Sequence, residues 1–149
     1  MNPAPATRRL YLAEPRGMWL QRSPVVADCS ALAALLFEEL AADEAAALLI
    51  GRALHAPTLL PYELASVASK KQRAGASQDW VDAALQAYAE QRIDLHPVPP
   101  DAAARLAARY ALSAYDAAYL WLAAELKAPL ATFDRKLAEA AQRHLAAPD

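Results

Sequence analysis

A single cysteine, Cys29, stands in the 149 residues, so no disulfide can close within the chain and no multi-cysteine metal centre can form. That usage suits a reducing, cytoplasmic setting. The three histidines, His55, His96 and His144, are scattered, which leaves zinc ligation and histidine acid–base chemistry with little support. No apolar run approaches the roughly 18 residues of a membrane span, and the opening "MNPAPATRRLYLAEPRG" lacks the apolar stretch of a secretory signal. A protein outside the membrane is expected. Internal repeats and long low-complexity tracts are absent too. Neither charge sign dominates: 15 Lys and Arg against 17 Asp and Glu give a net charge of -2. This argues against nucleic-acid binding through overall charge and leaves room only for a local basic patch beside an acidic site.

What is present is an apolar, helix-favouring chain, 56% hydrophobic and 21% charged, with much of the apolar share alanine. Its length suits one domain with a proper core. Residues 1–23 stand apart, because Pro3, Pro5 and Pro15 break any periodicity and Arg8, Arg9, Arg16 and Arg22 outnumber Glu14. They are expected to form a flexible or loosely docked basic arm, with Met18 an alternative start and a folded domain over 24–149.

From Pro24 the pattern is regular. "PVVAD" reads as a short buried strand and "SALAALLFEEL" as a helix with Leu32, Leu35, Leu36 and Leu40 at helical spacing. A second helix opens near Asp43 as N-cap, and "HAPTLL" is a strand closed by Pro61. "YELASVASKKQR" is helical, and Ser77 caps a helix whose Trp80, Val81, Ala84, Leu85 and Tyr88 form one apolar stripe. Then come a strand in "RIDLHPV", helices from "PPDAAARLAARYA" and from Ser113, a strand in "APLATF" and a last helix in "DRKLAEAAQRHL". Strands alternating with helices predict an α/β domain with a largely parallel sheet.

In such a sheet, ligands gather beyond the carboxyl ends of the strands. Asp28 ends the first strand, Glu63 lies in the first turn after "TLLP", Asp116 in the first turn after Ser113, and Asp134 follows "LATF". Each also has an ordinary reading: Asp28 or Ser30 as a helix cap, Glu63 as a partner of the helix dipole, "SAYD" as a capping box, Asp134 as an N-cap.

The order and context of the four acids resemble the PIN-domain family, specifically its small bacterial VapC-type toxins. "VVADCSAL" looks like the opening Asp-x-Ser motif, "LLPYELASV" the second, "LSAYDAAYL" the third, and "LATFDRKLAEAA" the fourth with its Thr132 and Asp134 pair. The likeness spans about Pro24 to His144. It implies a PIN-like three-layer sandwich with a central, mostly parallel sheet flanked by helices. Ser66 departs from the pattern, since many relatives carry asparagine there, and the arm before Met18 has no counterpart in the usual compact form.

The resemblance implies a metal-dependent endoribonuclease, the toxin of a toxin–antitoxin pair, with an RNA substrate, a cognate antitoxin partner and a homodimeric state. Asp28, Glu63, Asp116 and Asp134 become catalytic residues and ligands of Mg²⁺ or Mn²⁺. All-oxygen donors suit these hard ions, and a cation resolves the repulsion among crowded carboxylates. Asp28 and Asp116 are the expected direct ligands, while Glu63 and Asp134 act directly or through water. Ser30, Ser66 and Thr132 are candidates to orient the acids; in this reading the helix cap passes to Ser30. Arg135 and Lys136 sit at a helix N-terminus, where the dipole disfavours cations, and are candidates for phosphate contact. Lys70, Lys71 and Arg73 read as a solvated face. Tyr115, Tyr119 and Trp121 either stack bases or pack the core and a subunit interface.

Two other classes remain open. A non-catalytic PIN-like module that binds RNA or protein would be favoured by loss of a quartet acid, and all four are present. An aspartyl-phosphate enzyme or receiver would want a second acid near Asp28, where "VVADCS" supplies none.

Overall fold

A computed structural model describes residues 9–13 and 23–147. Strand β2 (Pro24–Ala27) is buried along Val25, Val26 and Ala27, as an apolar run covered on both faces should be. Helix α1 (Cys29–Leu36) follows at once and is succeeded by α2 (Ala42–Leu49), β3 (Ala53–Pro57), α3 (Leu60–Arg73) and α4 (Gln78–Glu90). Strand β4 (Ile93–His96), α5 (Pro100–Tyr110), α6 (Ala114–Glu125), β5 (Leu130–Thr132) and α7 (Arg135–Leu145) complete the series. The sheet also takes in β1 (Tyr11–Ala13), giving the order β1-β5-β2-β3-β4 with β1 antiparallel and the other four parallel. Helix α6 packs on β2, β3 and β5 with α5 and α7 beside it, whereas α1 packs against β5, α2, α3 and α4. The result is the expected three-layer sandwich around a mostly parallel sheet.

Three expectations are corrected. The basic arm is not loose throughout: Tyr11 to Ala13 pair with Thr132 to Leu130, Leu10 and Ala13 are buried, and the Leu10 amide donates to Glu44 Oε1 at 3.0 Å. Residues 1–8 and 14–22, including Met18, lie outside the described residues. The first helix ends at Leu36 because Glu38 takes a left-handed backbone, φ 48°, so Leu40 leaves the stripe and is 92% exposed. Asp43 falls inside the first turn of α2, whose cap Ala41 offers no side-chain bond; Asp43 and Glu44 there complement the helix dipole.

The docking of the arm has a measurable consequence. Leu10→Ala is expected to lower unfolding free energy by about 2–5 kcal/mol, the range for truncating a buried leucine. Chemical denaturation checks it; an unchanged midpoint would mean that the segment does not pack.

Candidate active site at the carboxyl ends of β2 and β5

From β2 the chain steps to β3 and β4 on one side and later returns through β5 on the other. The strand order therefore switches between β2 and β5, where Ala27 lies opposite Ala131. A crevice is expected just beyond such a switch point. Asp28 leaves β2 into it, and Thr132 and Asp134 border it from β5.

Asp28 is buried and held on both carboxylate oxygens. The Ser30 hydroxyl donates to Oδ1 at 2.6 Å and the Ala31 amide to the same atom at 3.0 Å, while the Thr132 hydroxyl donates to Oδ2 at 2.5 Å. Each hydroxyl also accepts a backbone N–H from the β5–α7 junction, Phe133 to Ser30 at 2.9 Å and Asp134 to Thr132 at 2.9 Å. Two hydroxyl relays thus clamp that junction onto Asp28. The assignment of the cap to Ser30 is corrected here. Asp28 itself caps α1, since it keeps the extended backbone of the strand and its Oδ1 reaches the Ala31 amide, whereas Ser30 lies within the first turn and spans to Phe133.

Burial pushes the Asp28 carboxyl up to about 6 against the lowering effect of its three donors, and the charge of Asp116 adds to the rise. Next in sequence, the Cys29 thiol is buried and is pushed up to about 12 by desolvation, with Glu63 and Asp28 contributing and Lys70 opposing.

Glu63 opens α3, whose Pro61 suits the first turn. Its Oε1 accepts from the Tyr119 hydroxyl at 2.7 Å. Burial raises the Glu63 carboxyl, Tyr119 restrains the rise, and Asp28 and Asp116 add to it. Burial and the same carboxylate raise the Tyr119 phenol in turn. Ser113 caps α6 by accepting the Asp116 amide at 3.0 Å. The Asp116 carboxyl is raised by burial and by Asp134, and lowered by Ser113 and Lys136. Asp134 is exposed and caps α7, its Oδ1 accepting from the Leu137 amide at 2.8 Å.

Asp28, Glu63 and Asp116 therefore share one electrostatic neighbourhood, with Asp134 joined to it through Asp116. Lys136 belongs to it as well. Arg135 pairs with Glu139 at 2.9 Å, and Ser66 is exposed on α3, one turn beyond Glu63. Lys71 is not merely solvated: its ammonium pairs with Glu39 at 2.9 Å and lies over the Phe37 and Trp80 rings. Trp121 is half-buried and packs against the core. The role of Tyr119 against Glu63 was not singled out from the sequence; its spacing of three from Asp116, which puts both on one helix face, is the signal that could have found it.

Among the described residues, no group of three or more His, Cys, Asp or Glu side chains is gathered to hold a metal ion directly. The donor chemistry nonetheless fits a hard divalent cation that keeps most of its waters and takes one or two carboxylates. Three carboxyls raise one another or are raised by burial, and such a cation would relieve both penalties.

Tyr119→Phe should leave the fold intact, because the buried ring is kept, while removing the hydroxyl that donates to Glu63. A loss of about 10- to 100-fold is expected in any activity that Glu63 carries, the scale for deleting a group that orients a functional side chain. The acid limb of the pH–rate profile should move upward, since Glu63 loses a donor that favours its charged form. A superimposable profile would remove Glu63 from the rate-determining ionisation.

The family model described as "PIN domain" matches residues 25–143. The crystal structure of PAE2754 from Pyrobaculum aerophilum is similar, with a TM-score of 0.61 and 26% identity, over 79% of this chain and 86% of that one. No curated protein matches the sequence significantly.

Proposed function

The chain belongs to the PIN-domain family, and from that premise we propose that it is a metal-dependent endoribonuclease. PIN domains are generally nucleases, so hydrolysis of a nucleic-acid phosphodiester is the chemistry of the family. One observation carries the reading to this chain: Asp28, clamped by two hydroxyl relays at the sheet's switch point, is electrostatically coupled to Asp116 and Glu63.

Asp28 and Asp116 would hold Mg²⁺ or Mn²⁺, with Glu63 and Asp134 engaging directly or through water. A bound ion of this kind supplies activated water and neutralises charge developing on the phosphate. Glu63, half-buried with its carboxyl raised, is suited to accept the proton of the attacking water. Tyr119 fixes the oxygen of Glu63 that faces it, leaving the other for that proton. Lys136, already near Asp116, supplies a cation for the substrate phosphate; Arg135, engaged with Glu139, is the weaker candidate. Ser30 and Thr132 hold Asp28 ionised in one orientation.

We propose further, from the resemblance of its four acidic motifs to VapC-type toxins, that the protein acts in the cytoplasm as the toxin of a toxin–antitoxin pair, as a homodimer blocked by a cognate antitoxin. No helix among the described residues is long and apolar enough to cross a membrane.

The test is incubation of purified protein with defined RNAs, with and without Mg²⁺ or Mn²⁺, beside Asp116→Asn. Cleavage is expected only with the ion and is expected to fall at least about 100-fold in the variant, several kcal/mol of transition-state stabilisation being at stake. Cleavage that survives both chelation and substitution overturns the proposal. RNA binding without cleavage across the panel would instead assign the non-catalytic module.

A further inference from the structure

Two large aromatic residues directly precede site acids in the chain and stand in solvent. Tyr62, directly before Glu63, is 80% exposed, and Tyr115, directly before Asp116, is 66% exposed. Soluble domains expose isolated tyrosines often, so exposure alone carries nothing. Placement is what distinguishes this pair.

Tyr119 on α6 bonds Glu63 in the first turn of α3, which links the N-terminal halves of the two helices through one side-chain contact. Tyr115 lies four residues before Tyr119, on the same face of α6 and one turn nearer the helix start. The stripe that holds Glu63 from inside thus continues outward as an exposed phenol ring. Tyr62 stands on the first turn of α3, the residue before Glu63 in the chain. Two cations act close by: Lys136 on Asp116, and Lys70, on α3, on the Cys29 thiol next to Asp28 in the chain. Flat aromatic faces beside a phosphate-directed cation are the elements with which proteins hold single strands, because every base has a face to stack while the backbone follows the charge. A duplex, with its bases already stacked inside, offers nothing to these rings.

We propose that Tyr62 and Tyr115 are positioning residues that stack nucleobases of a single-stranded substrate on the two helix starts flanking the acids. The proposal rests on the nuclease reading for its purpose, and its test is separable because binding is measured without cleavage.

The measurement is fluorescence anisotropy with a labelled 12-nucleotide single-stranded RNA, and with the same strand in a duplex, in excess EDTA to stop hydrolysis. A parallel strand carries 2-aminopurine, whose emission reports stacking. Tyr62→Ala and Tyr115→Ala are each expected to weaken single-strand binding about 5- to 100-fold, the effect of losing one base–aromatic stack. Tyr→Phe at either position should restore both affinity and the emission change, and duplex binding should stay level throughout. Parental affinity in both alanine variants overturns the proposal, as does failure of phenylalanine to rescue. A change of oligomeric state in the alanine variants at unchanged RNA affinity also overturns it, assigning the rings to a contact between copies. If the parent binds and stacks RNA but does not cut it when Mn²⁺ is restored, the nuclease reading fails while this inference stands.

Discussion

Asp28→Asn is expected to abolish cleavage while raising the melting temperature of the protein kept free of divalent ions. The carboxylate sits where a neutral side chain would be cheaper. Its carboxyl is carried from 3.8 to about 6 chiefly by burial, and a change of that size corresponds to up to about 3 kcal/mol at neutral pH. Asparagine caps a helix as well as aspartate does, and its amide can donate to the Thr132 hydroxyl that aspartate now accepts from. A gain on the order of 5 °C follows for a chain of this size. The sign with pH is fixed by the direction of the shift. A folded-state pKa above the unfolded value means that the native state binds more protons between about pH 4 and 6. The parent therefore loses stability as pH rises through that window, and Asp28→Asn should flatten the loss. Burial raises Glu63 and Asp116 in the same sense. Adding Mn²⁺ should reverse the ranking, because the ion stabilises only the state that binds it. Cleavage should fall by a factor on the order of 1,000 or more. A variant less stable than the parent at pH 7 in chelator would show that burial does not penalise the charge; full activity would remove Asp28 from the chemistry.

Thr132→Val should have the opposite effect on stability at nearly constant shape. Thr132 is fully buried, and its hydroxyl both donates to Asp28 and accepts from the Asp134 amide. Valine keeps the volume and strands both partners. Losing a bond to a charged acceptor and orphaning an amide together cost about 3–4 kcal/mol, or about 10 °C. Activity should fall too, since the β5–α7 junction and Asp28 would no longer be held to each other. Thr132→Ser, which retains the hydroxyl and gives up one methyl, should lose only about 1 kcal/mol. Urea denaturation of the two variants side by side decides the matter, and equal midpoints would mean that the hydroxyl contributes nothing.

Local signals were legible in the sequence. Ser77, Ser113 and Asp134 cap their helices as expected, because a cap bonds only three residues ahead. The alternation of strands and helices led to the right layers. What escaped was non-local. Three residues of a proline-rich arm become a strand only because β5 offers an unpaired edge. Lys71 looked solvated until Glu39, 32 residues away, met it. The bond from Tyr119 to Glu63 crosses 56 residues and that from Thr132 to Asp28 crosses 104, distances at which no pattern of neighbouring residue types can specify a partner. The Leu40 error had a local cause of another kind: hydrophobic spacing continued past a left-handed turn at Glu38 that the residue type does not announce.

Cys29, beside Asp28, gives the molecule an internal clock. A thiol that is buried and held protonated reacts with alkylating reagents only during excursions that expose it. Because it is the chain's sole cysteine, the labelling rate of the unmodified protein reads the fraction of time for which the junction of β2 and α1 stands open, with no competing thiol to subtract.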